Sequence, residues 1–125
     1  MQFNMSGEKP IFLQFAEELE DNILKGIYEE ESQIPSTTEV AVKLKINPAT
    51  ANRGVNLLVD EDIIYKKRGI GMFVSLGARI KIIAKRKKAF YESYILSLLE
   101  EAGNLNISKS EIIDLIERGF ENEHN

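Results

Sequence analysis

The chain has no cysteine and no tryptophan, one histidine and only three prolines among 125 residues. Without cysteine there is no disulfide scaffold, no thiolate zinc site and no cysteine nucleophile. The lone histidine, His124, lies next to the C-terminus in a polar tail, which reads as disordered rather than catalytic. No apolar run approaches the length of a membrane span, and the opening MQFNMSGEKP lacks the basic-then-apolar order of a signal peptide. The expectation is a cytoplasmic protein with no membrane partner. Acids are spread over helix faces, no nucleophile–base pair is recognisable and no histidine–carboxylate cluster occurs. The chain therefore reads as no enzyme, with no metal and no cofactor.

What is present is unevenly charged. The net charge is −4. Residues 1–33 carry −6, residues 34–76 carry +2, and residues 77–125 balance to zero. Nucleic-acid binding depends on such local distribution rather than on the total. The length suits one compact domain plus a small appendage.

The most specific stretch runs from Ile34 to Val74. Ser36 followed by Glu39 forms a capping box, in which each side chain satisfies the other's backbone N–H. It opens a helix to about Lys45 with Val40, Ala41 and Leu44 turned inward. Asn47-Pro48 opens a second helix: Asn is a favoured N-cap, and Pro is tolerated at the first helical position because its missing N–H has no partner there. Only about two residues separate the helices, so they cross steeply. The second helix, roughly Pro48 to Glu61, places Ala51, Val55 and Leu58 on one side. Ala49, Asn52, Arg53 and Asn56 share the other, and Arg and Asn are the side chains that pair bidentately with guanine and adenine. Gly54 lies near the inner face, where a close helix approach accounts for a residue costing about 1 kcal/mol against Ala.

A hairpin follows. Ile63-Ile64-Tyr65-Lys66-Lys67 and Met72-Phe73-Val74-Ser75 flank Arg68-Gly69-Ile70-Gly71, and three cations approach the tip. The glycines let backbone approach a phosphate or a minor groove. Gly69-Ile70-Gly71 opens no helix and lacks a third glycine, so it is no dinucleotide fingerprint. Helix, tight turn, helix and hairpin together describe a winged helix-turn-helix, which places its second helix in the DNA major groove.

These residues resemble a known family. Ile34-Pro35-Ser36 and Gly69-Ile70-Gly71-Met72-Phe73-Val74 are similar, in order and separation, to the motifs of the GntR family of bacterial transcription regulators. Pro10-Ile11-Phe12 and the helix end at Ile23-x-x-Gly26 resemble the family's opening helix, so the likeness covers about residues 8 to 75. The chain departs from the family where Thr38, Pro48 and Asn52 stand in place of frequent arginines. Asn47-Pro48-x-Thr50 followed by Arg53 is instead similar to the short YtrA-like branch. The resemblance implies phosphate contacts at Ser36, Thr38, Asn47 and Thr50, base reading by Asn52 and Arg53, and a wing tip at Arg68 and Gly69. With the residues read directly, the candidate interface is Ser36, Thr38, Asn47, Pro48, Ala49, Thr50, Asn52, Arg53, Asn56, Lys66, Lys67, Arg68, Gly69 and Gly71.

The flanking segments read as helices. From Pro10 to about Gly26 the stripe Ile11, Phe12, Phe15, Leu19 and Ile23 packs beneath the helix-turn-helix. After Ser75 the apolar spacing predicts one long helix to about Ala102, stopped at Gly103-Asn104. Ser108 with Glu111 makes a second capping box, and Ile107 with Ile112 a hydrophobic staple. Two helices cannot bury that much apolar surface alone, which predicts a hairpin packed against a second copy. The cations Arg79, Lys81, Lys85, Arg86, Lys87 and Lys88 read as a solvated face, with flanking phosphate contact as the functional alternative.

The expectation is an α+β chain: a winged helix-turn-helix DNA-binding domain over residues 1–76, then a two-helix dimerisation hairpin over 77–125. It would be a homodimer on double-stranded DNA, binding a near-palindromic operator through the helix 48–61 and the wing 63–75. By resemblance to YtrA-like regulators it would repress a transporter operon; a small-molecule effector stays unknown. The alternative is a winged helix engaged only in protein–protein contacts.

Overall fold

The computed structural model describes residues 9–124. Its elements are α1 (Ile11–Leu24), β1 (Gln33–Ile34), α2 (Thr37–Leu44), α3 (Pro48–Asp60), β2 (Ile64–Lys67), β3 (Gly71–Val74), α4 (Ala78–Phe90), a π-helical turn (Tyr91–Ile95), α5 (Leu96–Asn104) and α6 (Lys109–His124). The described residues form two compact units, divided between Ala84 and Lys85. Their division falls eight residues beyond the 76/77 boundary read from sequence, because Ala78 and Ile82 on α4 are fully buried in the first unit's core.

That core gathers Phe15, Leu19 and Ile23 of α1, Ile34, Ala41, and Ala51, Val55 and Leu58 of α3. Ile63, Ile64 and Val74 close it from the hairpin side. The stripe on α1 is the one its periodicity predicted, with Ile11 and Phe12 left half-exposed at its start. α1 ends in a Schellman motif: Gly26 at φ 80° lets its own N–H reach Ile23 O and the Ile27 N–H reach Asn22 O. The same arrangement ends α2 on Lys45 (φ 57°), a residue that occupies the left-handed region at a cost a glycine would avoid. This fold-back makes the turn between α2 and α3 only three residues long, Lys45 to Asn47.

Both predicted helix starts are present. The Glu39 N–H donates to Ser36 Oγ at 3.1 Å, and the Ala49 N–H donates to Asn47 Oδ1 at 2.8 Å. The sheet is antiparallel in the order β1-β3-β2. Its two-residue edge strand β1, pairing Gln33 with Phe73 and Ile34 with Met72, was not read from the sequence; two residues are too short for any alternation to register.

In the second unit, helix runs through the predicted span but not as a single α-helix. The Leu96 N–H bonds back five residues to Tyr91 O, which makes the π-helical turn. α5 continues past Gly103 to Asn104, and the chain reverses at Asn106 (φ 56°). The second capping box is formed, with the Glu111 N–H donating to Ser108 Oγ at 3.1 Å and the Ser108 N–H to Glu111 Oε1 at 3.4 Å. α6 extends to His124, where sequence reading placed a disordered tail. Ala102 is the one buried apolar residue among the described residues of this unit.

Candidate nucleic-acid interface

α3 is held by its inner face and leaves its outer face bare. Ala51, Gly54, Val55 and Leu58 are buried, whereas Ala49, Asn52, Arg53 and Asn56 are exposed. At Gly54 the packing is tight: a Cβ there would lie 2.7 Å from Phe12 O and 2.8 Å from Phe15 Cδ2. Glycine is thus the residue that allows α1 and α3 to touch, as its place on the helix predicted.

The outer face forms one shallow depression lined by Ala49, Asn52, Arg53 and Asn56 together with Phe12, Leu57 and Asp60. Four predicted contact residues are therefore brought together. Phe12 and Asp60 were missed. Phe12 counted only toward the core stripe of α1, and its ring instead lies 3.9 Å from the Arg53 guanidinium carbon. Asp60 follows Asn56 by four residues, so helical spacing alone could have found it.

The wing is joined to this face. Lys66 Nζ donates to Asn56 Oδ1 at 3.0 Å. Tyr65 and Phe73, directly paired across the strands, stack at 5.6 Å, and Lys67 Nζ sits 4.5 Å from the Phe73 ring centre. The Tyr65 hydroxyl donates to Glu31 Oε2 at 3.1 Å; burial first, then this neighbour, pushes its pKa above the ordinary 10.0. Arg68 and Gly69 form the exposed tip, where Gly69 at φ 77° meets nothing on its open side. Gly71 is different. Its missing Cβ would fall 2.5 Å from Gln33 Nε2, which donates to Ile70 O at 3.1 Å. The edge strand's glutamine thereby braces the tip, and Gly71 makes room for it.

The remaining predicted residues lie at helix starts. Ser36 and Asn47 are exposed but use one side-chain oxygen lone pair for capping; Thr38, Pro48 and Ala49 are exposed and Thr50 is half-buried. Thr37 Oγ1 lies 3.6 Å from Met72 Sδ, which ties the first turn of α2 to the wing.

Arg79 and Lys81, in the cationic run after the wing, serve the fold. The Arg79 guanidinium donates to Ile23 O (3.3 Å) and to Leu24 O, the carbonyls that end α1. Lys81 Nζ donates to Asp62 O at 3.1 Å. Glu30 caps the start of α4 by accepting from the Gly77 N–H (2.9 Å) and the Arg79 N–H (3.1 Å). These two backbone donors, more than the Arg79 charge, hold its carboxyl below the ordinary value of 4.5.

Residues 13–74 match the model of the gntR family of bacterial regulatory proteins. Among solved structures, a protein described as a transcriptional regulator of the GntR family from Bacteroides thetaiotaomicron is 38% identical. It superposes with a TM-score of 0.79 over 91% of this chain and 99% of its own. The chain belongs to the GntR family. This GntR-family chain is also 29% identical to the transcriptional repressor YtrA of Bacillus subtilis, over 66% of its own length and 64% of that relative's. It spans 93% of the length of another Bacillus subtilis relative, but 29% and 31% of two longer ones. The DNA-binding domain of AraR, solved in complex with the operator ORE1, is 25% identical with a TM-score of 0.54, over 60% of this chain and 94% of that domain. A GntR-family winged helix-turn-helix of this kind makes the protein a DNA-binding transcription regulator. No helix among the described residues is long and apolar enough to cross a membrane.

Proposed function

We propose that the protein is a homodimeric repressor that reads a near-palindromic operator, with α3 in the major groove and the wing at the flanking backbone. One observation carries the reading: the exposed face of α3 presents Asn52, Arg53 and Asn56 together, beside the wing lysine Lys66. Arg and Asn are the side chains whose paired donors and acceptors match guanine and adenine edges. Lys67, Arg68 and Gly69 then supply sequence-independent grip on phosphates, joined by Ser36, Thr38, Asn47 and Thr50 at the helix starts.

Dimerisation is supported by the second unit. Phe90, Tyr94, Leu99, Leu115 and Phe120 are between 50% and 66% exposed in a single copy. Each Å² of apolar surface removed from water is worth about 25 cal/mol, so covering these faces with a second copy of the hairpin would be favourable. Two copies present two recognition helices to half-sites about one turn, roughly 34 Å, apart. Repression is the role named for the relative YtrA, and a transporter operon is the target class that the likeness to YtrA-like regulators implies.

The test is selection of bound fragments from random duplex DNA, with the native protein and with Arg53→Ala. An enriched inverted repeat that Arg53→Ala abolishes is the expected result. No enrichment at low salt would overturn the reading and favour a protein-contact module. Sedimentation of the free protein as a monomer at micromolar concentration would overturn the dimer.

A further inference from the structure

We infer that Phe12, on α1 and outside the helix-turn-helix, is a positioning residue that sets the direction of the Arg53 guanidinium and so the base this protein prefers. The inference rests on the reading of Arg53 as a base reader and adds the element that aims it. The Arg53 guanidinium carbon lies 3.9 Å from the centre of the Phe12 ring. Stacking of this kind occupies one face of the planar cation and leaves its in-plane N–H groups free, which are the groups that pair with guanine O6 and N7. No described residue takes one of those N–H groups.

The backbone that carries the ring is packed against α3. Phe12 is half-buried, and its carbonyl oxygen stands where a Cβ on Gly54 would be only 2.7 Å away. Gly54 adjoins Arg53, so a tight contact of α1 with α3 occurs at the residue next to the reader. A long, flexible arginine on an exposed helix face would otherwise sample many rotamers and lose that freedom on binding DNA. The stack removes part of that loss beforehand. Phe12 and Arg53 are both in the lining of the same depression as Asn52 and Asn56.

The experiment compares Phe12→Leu, Phe12→Tyr and Arg53→Ala, singly and with Phe12→Leu and Arg53→Ala combined, on the selected operator and on the operator changed at the base that Arg53→Ala ceases to discriminate. Leucine keeps an apolar side chain against α3 without a π face; tyrosine keeps the face. Phe12→Leu is expected to lose about two- to fivefold in discrimination at that one base, the exposed-site worth of a cation–π contact, and Phe12→Tyr to retain it. In the Arg53→Ala background Phe12→Leu should change discrimination no further, a non-additivity that a merely structural role would not produce. In the free protein the Arg53 side-chain Hε resonance should sit upfield through the ring current and move back in Phe12→Leu. An unchanged resonance, an additive double variant, or tighter binding by Phe12→Leu would overturn the inference while leaving the base-reading role of Arg53 standing. A native protein that selects no sequence would instead overturn the underlying reading, whatever the resonance does.

Discussion

Lys66 Nζ donates to Asn56 Oδ1 at 3.0 Å, so the wing and the recognition helix are tied side chain to side chain across one surface. A lysine engaged in this way has less to give a phosphate than one at the open tip. Arg68 and Lys67 should each contribute about one unit to the slope of log K against log salt. Binding titrations between about 50 and 200 mM salt should therefore show Arg68→Ala lowering the slope by about one. Lys66→Ala should lower it by less, while loosening the preference for the base that faces Asn56. Equal slopes for the two variants would contradict the assignment.

Gly54 is the contact point of α1 and α3. Alanine there gains about 1 kcal/mol of helix propensity but drives a methyl to 2.7 Å from a backbone oxygen. Backbone cannot swing aside as a side-chain end can, and overpacking costs about 1–3 kcal/mol. Gly54→Ala should be net destabilising by up to about 2 kcal/mol, measured as a lower denaturant midpoint. A stabilised variant would mean that the helices part without cost.

Arg79 is committed to the last carbonyls of α1, where a cation also complements the helix dipole. Arg79→Ala should lose about 1–2 kcal/mol of stability and leave the salt slope of DNA binding unchanged. Lys87→Ala and Lys88→Ala, at the other end of the cationic run, should do the reverse if that face touches phosphate. A lowered slope for Arg79→Ala would return it to the phosphate-contacting set.

Glu30 accepts two backbone N–H groups at the start of α4, and its folded pKa is depressed below 4.5. A depressed acid stabilises fully above its unfolded pKa and loses that contribution as pH falls through the lower folded value. Stability of the native protein should therefore drop below about pH 4.5, and Glu30→Gln should be less stable at neutral pH and flatter through the acid window. Denaturation midpoints from about pH 3 to pH 7 decide it; parallel curves would show that Glu30 contributes nothing.

Much of the first unit was legible because its signals are local. A capping box needs residues three apart, and Asn47-Pro48 needs only neighbours; both starts formed where they were read. Gly54 was legible as a close approach, although only the fold reveals that Phe12 O is what approaches. What escaped is long-range. Gln33 meets Ile70 across 37 residues, Arg79 meets Leu24 across 55, and Phe12 turns to Arg53 across 41. A stripe position such as Phe12 looks alike in sequence whether its ring ends in a core or against a cation. The cations after the wing were readable as a run, but that Arg79 and Lys81 hold the fold depends on which carbonyls the fold brings near.

The π-helical turn at Tyr91–Ile95 has a consequence for the faces of the helices that follow. A wider turn takes roughly one residue more than an α-turn to come round, so every side chain after Ile95 lies about 100° short of where an unbroken α-helix would place it. Both α5 and α6 follow the turn, so the notch that Leu99 and Ala102 share with Ile107 and Ile112 is carried round as one piece. Deleting a single residue from this turn would close it to an ordinary α-turn and leave the faces that follow where they are, whereas a deletion elsewhere along the helix would swing them by about 100°.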